Sequence, residues 1–89
     1  MGVTWDPKKR AANQKKHGVD FEEATSVLRD SLGTTFPDPD HSRGEARYVA
    51  IGMSVRGRLL VVAHTDTGST IRIISARQAT RHERRFYEG

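Results

Sequence analysis

The sequence predicts an α+β fold in which an antiparallel β-meander packs with two N-terminal helices and one C-terminal helix. Two observations carry that reading. In the N-terminal third the apolar residues recur with helical spacing, whereas from Arg47 to Ser75 they alternate with a period of two. Two glycine-containing breaks, Arg56-Gly57-Arg58 and Asp66-Thr67-Gly68-Ser69, cut the alternating stretch into three strands. With 89 residues, no internal repeat and no boundary in composition, the chain is expected to form one domain, residues 1–89, around one modest core.

Taken in order, Val3-Thr4-Trp5 predicts a short first strand. Asp6-Pro7 reads as an N-cap followed by proline at the first helical position, opening a polar helix over Pro7–His17 that Gly18 ends in a left-handed conformation. Asp20 and Glu23 have the spacing of a capping box, and Phe21, Ala24, Val27 and Leu28 fall on one face of a second helix that should pack on a sheet. Gly33 to Pro37 reads as a short extended piece, and Asp38 to Gly44 has loop composition. Three-residue connections around Gly57 and Gly68 would then set the register of the meander. They place Val49, Ile51, Met53, Val55, Leu59, Val61, Ala63, Ile71 and Ile73 on a helix-covered side. The other side, expected to be open and shallow, carries Tyr48, Ala50, Gly52, Ser54, Leu60, Val62, His64, Arg72 and Ile74. Ser75 and Gln78 repeat the capping-box spacing and open a third helix, whose N–H groups, with Arg77 beside them, would favour a phosphate next to Arg72.

Charge points to the partner class. Lys and Arg number 15 against 11 Asp and Glu, which suits a polyanion or an acidic protein. Lys8, Lys9, Arg10, Lys15 and Lys16 crowd the first helix and Arg77, Arg81, Arg84 and Arg85 the last segment, with the acids concentrated between them. The bland alternative is that both runs are ordinary solvated helix faces. The absence of cysteine leaves no disulfide framework and no thiolate metal site, and no apolar run is long enough to span a membrane; a cytoplasmic protein with no membrane partner is expected. Asp38, Asp40 and His41 are the nearest approach to a cation site, but they lack a second cluster, and no metal or other cofactor is expected.

Against that background the chain resembles the BrnT family. The matching residues are Trp5-Asp6, Lys9, Asn13, Lys16-His17-Gly18-Val19, Phe21-Glu22-Glu23-Ala24, Asp38-Pro39, Glu45-x-Arg47 and Gly52. The most specific match is the closing run Ile71-Arg72-Ile73-Ile74-Ser75-Ala76-Arg77, followed by Ala79-Thr80, Glu83 and Tyr87. The resemblance spans Trp5 to Tyr87 and implies a RelE-like fold, an RNA-cleaving activity that arrests translation, and a type II toxin–antitoxin pairing. It also implies a BrnA-like ribbon-helix-helix antitoxin through which alone the toxin would reach an operator DNA.

RNA cleavage without a metal needs a base for the 2′-OH, cations for the phosphorane-like transition state and an acid for the leaving oxygen. His64, Arg72 and Arg77 are the catalytic candidates, the histidine for proton transfer and the arginines for bidentate phosphate contact. Tyr48 could stack on an unpaired base, and Arg47, Arg81, Lys16 and His17 are further RNA-binding candidates. Arg81, Arg84 and Arg85 suit an acidic antitoxin segment. Each has a structural alternative: His64 as a satisfied strand histidine, His17 as a cation on a helix dipole, Glu45 and Arg47 as a surface pair. A non-catalytic nucleic-acid-binding module, or an inactive toxin homologue retained as an antitoxin partner, remains the rival reading of the whole chain.

Overall fold

The computed structural model describes residues 2–42 and 44–89. The expected meander is present as β3 (Arg47–Met53), β4 (Leu59–Asp66) and β5 (Thr70–Gln78). Two short strands widen it: β1 (Gly2–Trp5) adds parallel to β5, and β2 (Thr34–Pro37) adds antiparallel to β3, so the five-stranded order is β1-β5-β4-β3-β2. Three helices complete the α+β fold, α1 (Pro7–His17), α2 (Phe21–Val27) and α3 (Arg81–Glu88). Among the described residues no helix is long and apolar enough to cross a membrane.

Helix α1 keeps the expected bounds because its caps are local. Asp6 Oδ1 accepts the Lys8 amide at 2.8 Å, and Gly18, at φ 68, donates back to the Gln14 carbonyl at 2.9 Å. The capping box anticipated at α2 does not form. Asp20 instead accepts Arg10 at 2.6 and 3.0 Å, while Glu23 turns inward to Ser54 Oγ at 2.7 Å and to the Arg58 guanidinium. Charge-assisted bonds to side chains distant in sequence outcompete the neutral amide of the same turn.

Helices α1 and α2 cover the side of the sheet opposite to the one expected. Val19, Phe21, Ala24 and Val27 pack on Ala50, Leu60, Val62, Ile71, Ile73 and Ala76, with Val3, Trp5 and Leu28 at the margin. The small residues of that face, taken from the sequence as a shallow open surface, are small because a helix lies directly on them. A Cβ at Gly52 would sit 3.0 Å from Val27 Cγ1 and 3.2 Å from the Val27 carbonyl oxygen.

The second departure is a matter of one residue. Thr67 donates to the Thr70 carbonyl at 3.1 Å across a two-residue turn, Gly68-Ser69, in which Gly68 takes φ 92. Asp66 therefore pairs with Ile71, Thr65 with Arg72 and His64 with Ile73. A connection shorter by one residue exchanges the faces of the following strand, sending Ile71 and Ile73 to the helices and Arg72 to the other side. Beyond Ile73 a bulge between the His64–Ile73 and Ala63–Ser75 pairs skips Ile74, and the offset it introduces leaves Ala76 on the helix face and Arg77 opposite.

Where β1 ends at the Trp5–Ile73 pair, Asn13 of α1 takes over the edge of β5. Its Nδ2 donates to the carbonyls of Ala76 at 2.8 Å and Val19 at 2.9 Å, and its Oδ1 accepts the Ala76 amide at 3.1 Å. Asn13 is buried, so at Ala76 this amide supplies the partners that a longer β1 would otherwise provide.

The third helix starts later than expected, because β5 continues to Gln78. Its capping box is Thr80 with Glu83: the Glu83 amide donates to Thr80 Oγ1 at 3.2 Å and the Thr80 amide to Glu83 Oε1 at 2.8 Å. Helix α3 lies on the second face, over Ile51, Leu59 and Val61, without burying any residue of its own fully. Tyr87 donates to Asp30 Oδ2 at 2.6 Å and Phe86 rests on Phe36 with ring centroids 5.2 Å apart.

Candidate nucleic-acid interface

The second face of the sheet carries arginines. Arg47, Thr65 and Arg72 are cross-strand neighbours in one row, and Ile51, Val61 and Arg77 in another. With adjacent strands about 4.8 Å apart, the backbones of Arg47 and Arg72 lie about 10 Å from each other, a span that one phosphodiester linkage can bridge with the side chains reaching inward.

Each arginine has a carboxylate. Arg72 Nη2 donates to Glu45 Oε1 at 2.5 Å, Arg77 donates through both terminal nitrogens to Glu83 at 2.7 and 2.8 Å, and Arg47 Nε lies 4.0 Å from Asp38 Oδ2. The Arg77 guanidinium and the Thr80 amide hold the Glu83 carboxyl down to about 2, and Arg77 in turn is raised. Glu83 thus occupies the position at the start of the last helix where a phosphate was expected. Glu45 and Arg47 do not pair with each other, as a surface pair would; each is turned to a partner on another segment.

At the end of this face, Asp38 organises the loop before β3. Its carboxylate meets His41 Nδ1 at 3.0 and 3.1 Å, its carbonyl accepts Ser42 Oγ at 2.8 Å, and Ser42 Oγ accepts the Arg47 amide at 3.0 Å. Two polar atoms beside it are buried without a hydrogen bond, Arg47 Nε and Thr65 Oγ1. Asp38, His41, Glu45 and Thr65 were absent from the candidates taken from the sequence as RNA-binding or catalytic. The signal was the Glu45-x-Arg47 spacing and the Asp38-Pro39 pair, which only register could connect to Arg72.

The other candidates are dispersed. His64 is on the helix-covered face, 4% exposed and stacked on Tyr48 at 5.8 Å, and neither ring nitrogen makes a hydrogen bond of normal geometry. Burial pushes its imidazole below the usual histidine range. The two-residue turn is what parts His64 and Tyr48 from Arg72. Lys16 and His17 line a shallow groove with Lys9, Asn13, Ile74 and Ser75 along the β5 edge. Arg81, Arg84 and Arg85 are exposed on α3 and form no ion pair among the described residues. Among those residues there is also no group of three or more histidine or acidic side chains disposed to hold a metal ion.

The class of protein is thus a small α+β domain with three arginines on one face of its sheet and an arginine-rich helix beside them. The chain belongs to the family described as the ribonuclease toxin BrnT of type II toxin–antitoxin systems, whose sequence model matches residues 5–83. Among solved structures it is similar to the Brucella abortus ribonuclease toxin BrnT, at 30% identity and a TM-score of 0.71, over 91% of this chain and 99% of that one. No curated protein matches the chain. The protein is accordingly a ribonuclease toxin of the type II toxin–antitoxin class, which implies RNA targets and an antitoxin partner.

Proposed function

We propose that the chain, acting as one domain in the cytoplasm, is an endoribonuclease that cuts single-stranded RNA through attack of a 2′-OH on its own phosphodiester, without a metal ion. The observation that carries this is the shared face of Arg47, Arg72 and Arg77. Arginine offers a planar pair of donors to phosphate and stays charged at every working pH, so it can stabilise the extra negative charge of a phosphorane; one such donor is typically worth about 10²–10³ in rate. Arg72 and Arg47 hold the scissile phosphate, and Arg77 a neighbouring one. Lys16 and His17 extend the cationic track along the β5 edge. His64 and Tyr48, on the covered face, serve packing in this reading. RNA displaces Glu83 from Arg77, exchanging one anion for another, while Arg72, which meets Glu45 through Nη2 alone, receives phosphate on its remaining nitrogens.

The partner is a BrnA-like ribbon-helix-helix antitoxin, whose acidic segment engages Arg81, Arg84 and Arg85 and covers the arginine face; operator DNA is contacted only by that complex. One experiment tests the reading. The purified chain cleaves single-stranded RNA in excess EDTA, and the co-encoded antitoxin stops cleavage. The triple variant Arg81→Ala, Arg84→Ala, Arg85→Ala is still active but needs much more antitoxin for inhibition. Activity abolished by chelator and restored by a divalent ion sinks the metal-free mechanism, and an unchanged antitoxin requirement removes α3 from the interface.

A further inference from the structure

From the side chains gathered around Arg47, Thr65 and Arg72, we propose that Glu45 is the general base and His41, oriented by Asp38, the general acid of RNA cleavage. The inference rests on the ribonuclease reading above and identifies the two proton-transferring groups that it leaves open.

The arginine face must supply these groups, because a proton can be exchanged only with an atom within hydrogen-bonding reach of the substrate. His64 cannot reach it through the sheet. Two groups at the end of that face can. Glu45 has a side chain 45% exposed, with Oε1 on Arg72 Nη2 and Oε2 free of any hydrogen bond among the described residues. A base held on the cation that binds the phosphate is automatically close to the 2′-OH next to that phosphate. His41 has a side chain 63% exposed, and its Nδ1 is fixed against the Asp38 carboxylate. That contact selects the tautomer and leaves Nε2 as the ring nitrogen free to meet a substrate, the orienting role a carboxylate plays behind histidine in acid–base dyads.

The two groups are tied into one frame. Asp38 and Arg47 are joined by the Asp38 amide to the Arg47 carbonyl at 2.8 Å, and Arg47 leads through Thr65 to Arg72. Asp66 donates to the Ala46 carbonyl at 3.4 Å, holding the segment after Glu45 against β4. The unpartnered Thr65 Oγ1 and Arg47 Nε lie in the row between the acid and the base. Thr65 is 4% exposed, and a buried hydroxyl without a partner is costly unless a ligand supplies one.

The step balances as follows. The Glu45 carboxylate takes the 2′-OH proton, the 2′-oxygen forms a bond to phosphorus, and the bond from phosphorus to the 5′-oxygen breaks. That oxygen leaves with the Nε2 proton of His41. The products are a 2′,3′-cyclic phosphate and a 5′-hydroxyl, and the protonated Glu45 and neutral His41 are reset by exchange with water.

Leaving-group chemistry separates the two roles. The full chain is assayed on a set of single-ribonucleotide oligonucleotides, one per base, each made with a 5′-bridging oxygen or a 5′-bridging sulfur at the scissile linkage. Sulfur departs as thiolate and needs no acid. His41→Ala is expected to lose about 10²–10⁴-fold on the oxygen substrates and to regain most of that on the sulfur substrates. Glu45→Gln is expected to lose a similar factor on both. Asp38→Asn should behave as a weaker His41→Ala, including its rescue by sulfur. Both primary residues are exposed, and unchanged thermal midpoints verify that the variants fold. Equal losses by His41→Ala on both substrates, or wild-type rates in either variant, overturn the assignment while leaving the ribonuclease reading intact. A wild-type chain inactive on all the substrates overturns both.

Discussion

The two faces of the sheet solve opposite problems with the same kinds of residue. On the helix-covered face, polar groups are spent inside the protein: Asn13 closes the β5 edge, and His64 is stacked on Tyr48 and held away from solvent. On the arginine face, the guanidinium groups are tied to carboxylates at the surface, within reach of an incoming anion. The first arrangement stabilises a fold and the second orients charge. A third group, the lysines and arginine of α1 and the arginines of α3, carries charge largely without orientation, since among the described residues only Arg10 of the group forms ion pairs. The comparison teaches that net charge is a poor guide to the site. The informative cations are those whose direction is set by a strand and a partner.

The largest effect that can break this comparison is on activity. Arg72→Ala should lower RNA cleavage by about 10²–10³-fold, because it removes an oriented donor to the transition state. Lys8→Ala should leave the rate within about twofold and only flatten the salt dependence, as expected for one diffuse phosphate contact. Comparable losses from both substitutions would mean that the face binds RNA but does not organise the reaction. Initial rates across a salt series decide between the two.

On the helix face the expected effect is on stability. Asn13→Ala leaves the Ala76 amide and carbonyl and the Val19 carbonyl without their partner, and should cost about 2–3 kcal/mol in denaturant unfolding. The activity of the remaining folded protein should be unchanged at low temperature. A loss of activity without a loss of stability would move Asn13 to the other side of the comparison.

The smallest effect is a pH dependence. Burial lowers the folded-state pKa of His64 below its ordinary value of 6.5, so the unfolded chain binds a proton that the folded chain refuses. Its contribution is therefore fully present above that ordinary value and is lost progressively as the pH falls below it. His64→Leu should reduce the difference between unfolding midpoints measured at about pH 7.5 and about pH 5.5. An undiminished difference would take the acid sensitivity in this window away from His64; the carboxylates held low at Glu23 by Arg58 and at Glu83 by Arg77 lose their contribution only at lower pH, as it falls through the ordinary glutamate value of 4.5.

Local signals in the chain determined a great deal by themselves. Asp6, Pro7 and Gly18 set both ends of α1, and the period of two identified β3, β4 and β5 and sorted β3 and β4 correctly into two faces. The family motifs named Glu45, Arg47, Arg72 and Arg77 without saying which of them meet. These features were legible because a cap or an alternation depends on residues within a few positions of each other. Tertiary structure decided which face the helices cover, since α2 could choose either and settled where Gly52 allowed Val27 to approach. It also decided where Arg72 points. That depended on whether the turn at Gly68 holds two residues or three and on a bulge at Ile74, and β-structure converts each such single-residue difference into a change of face. The pairing of Glu45 with Arg72 and the alignment of Arg47 with Thr65 follow from that register. No spacing along the chain encodes them, because the partners come from different strands and meet only once the sheet has closed.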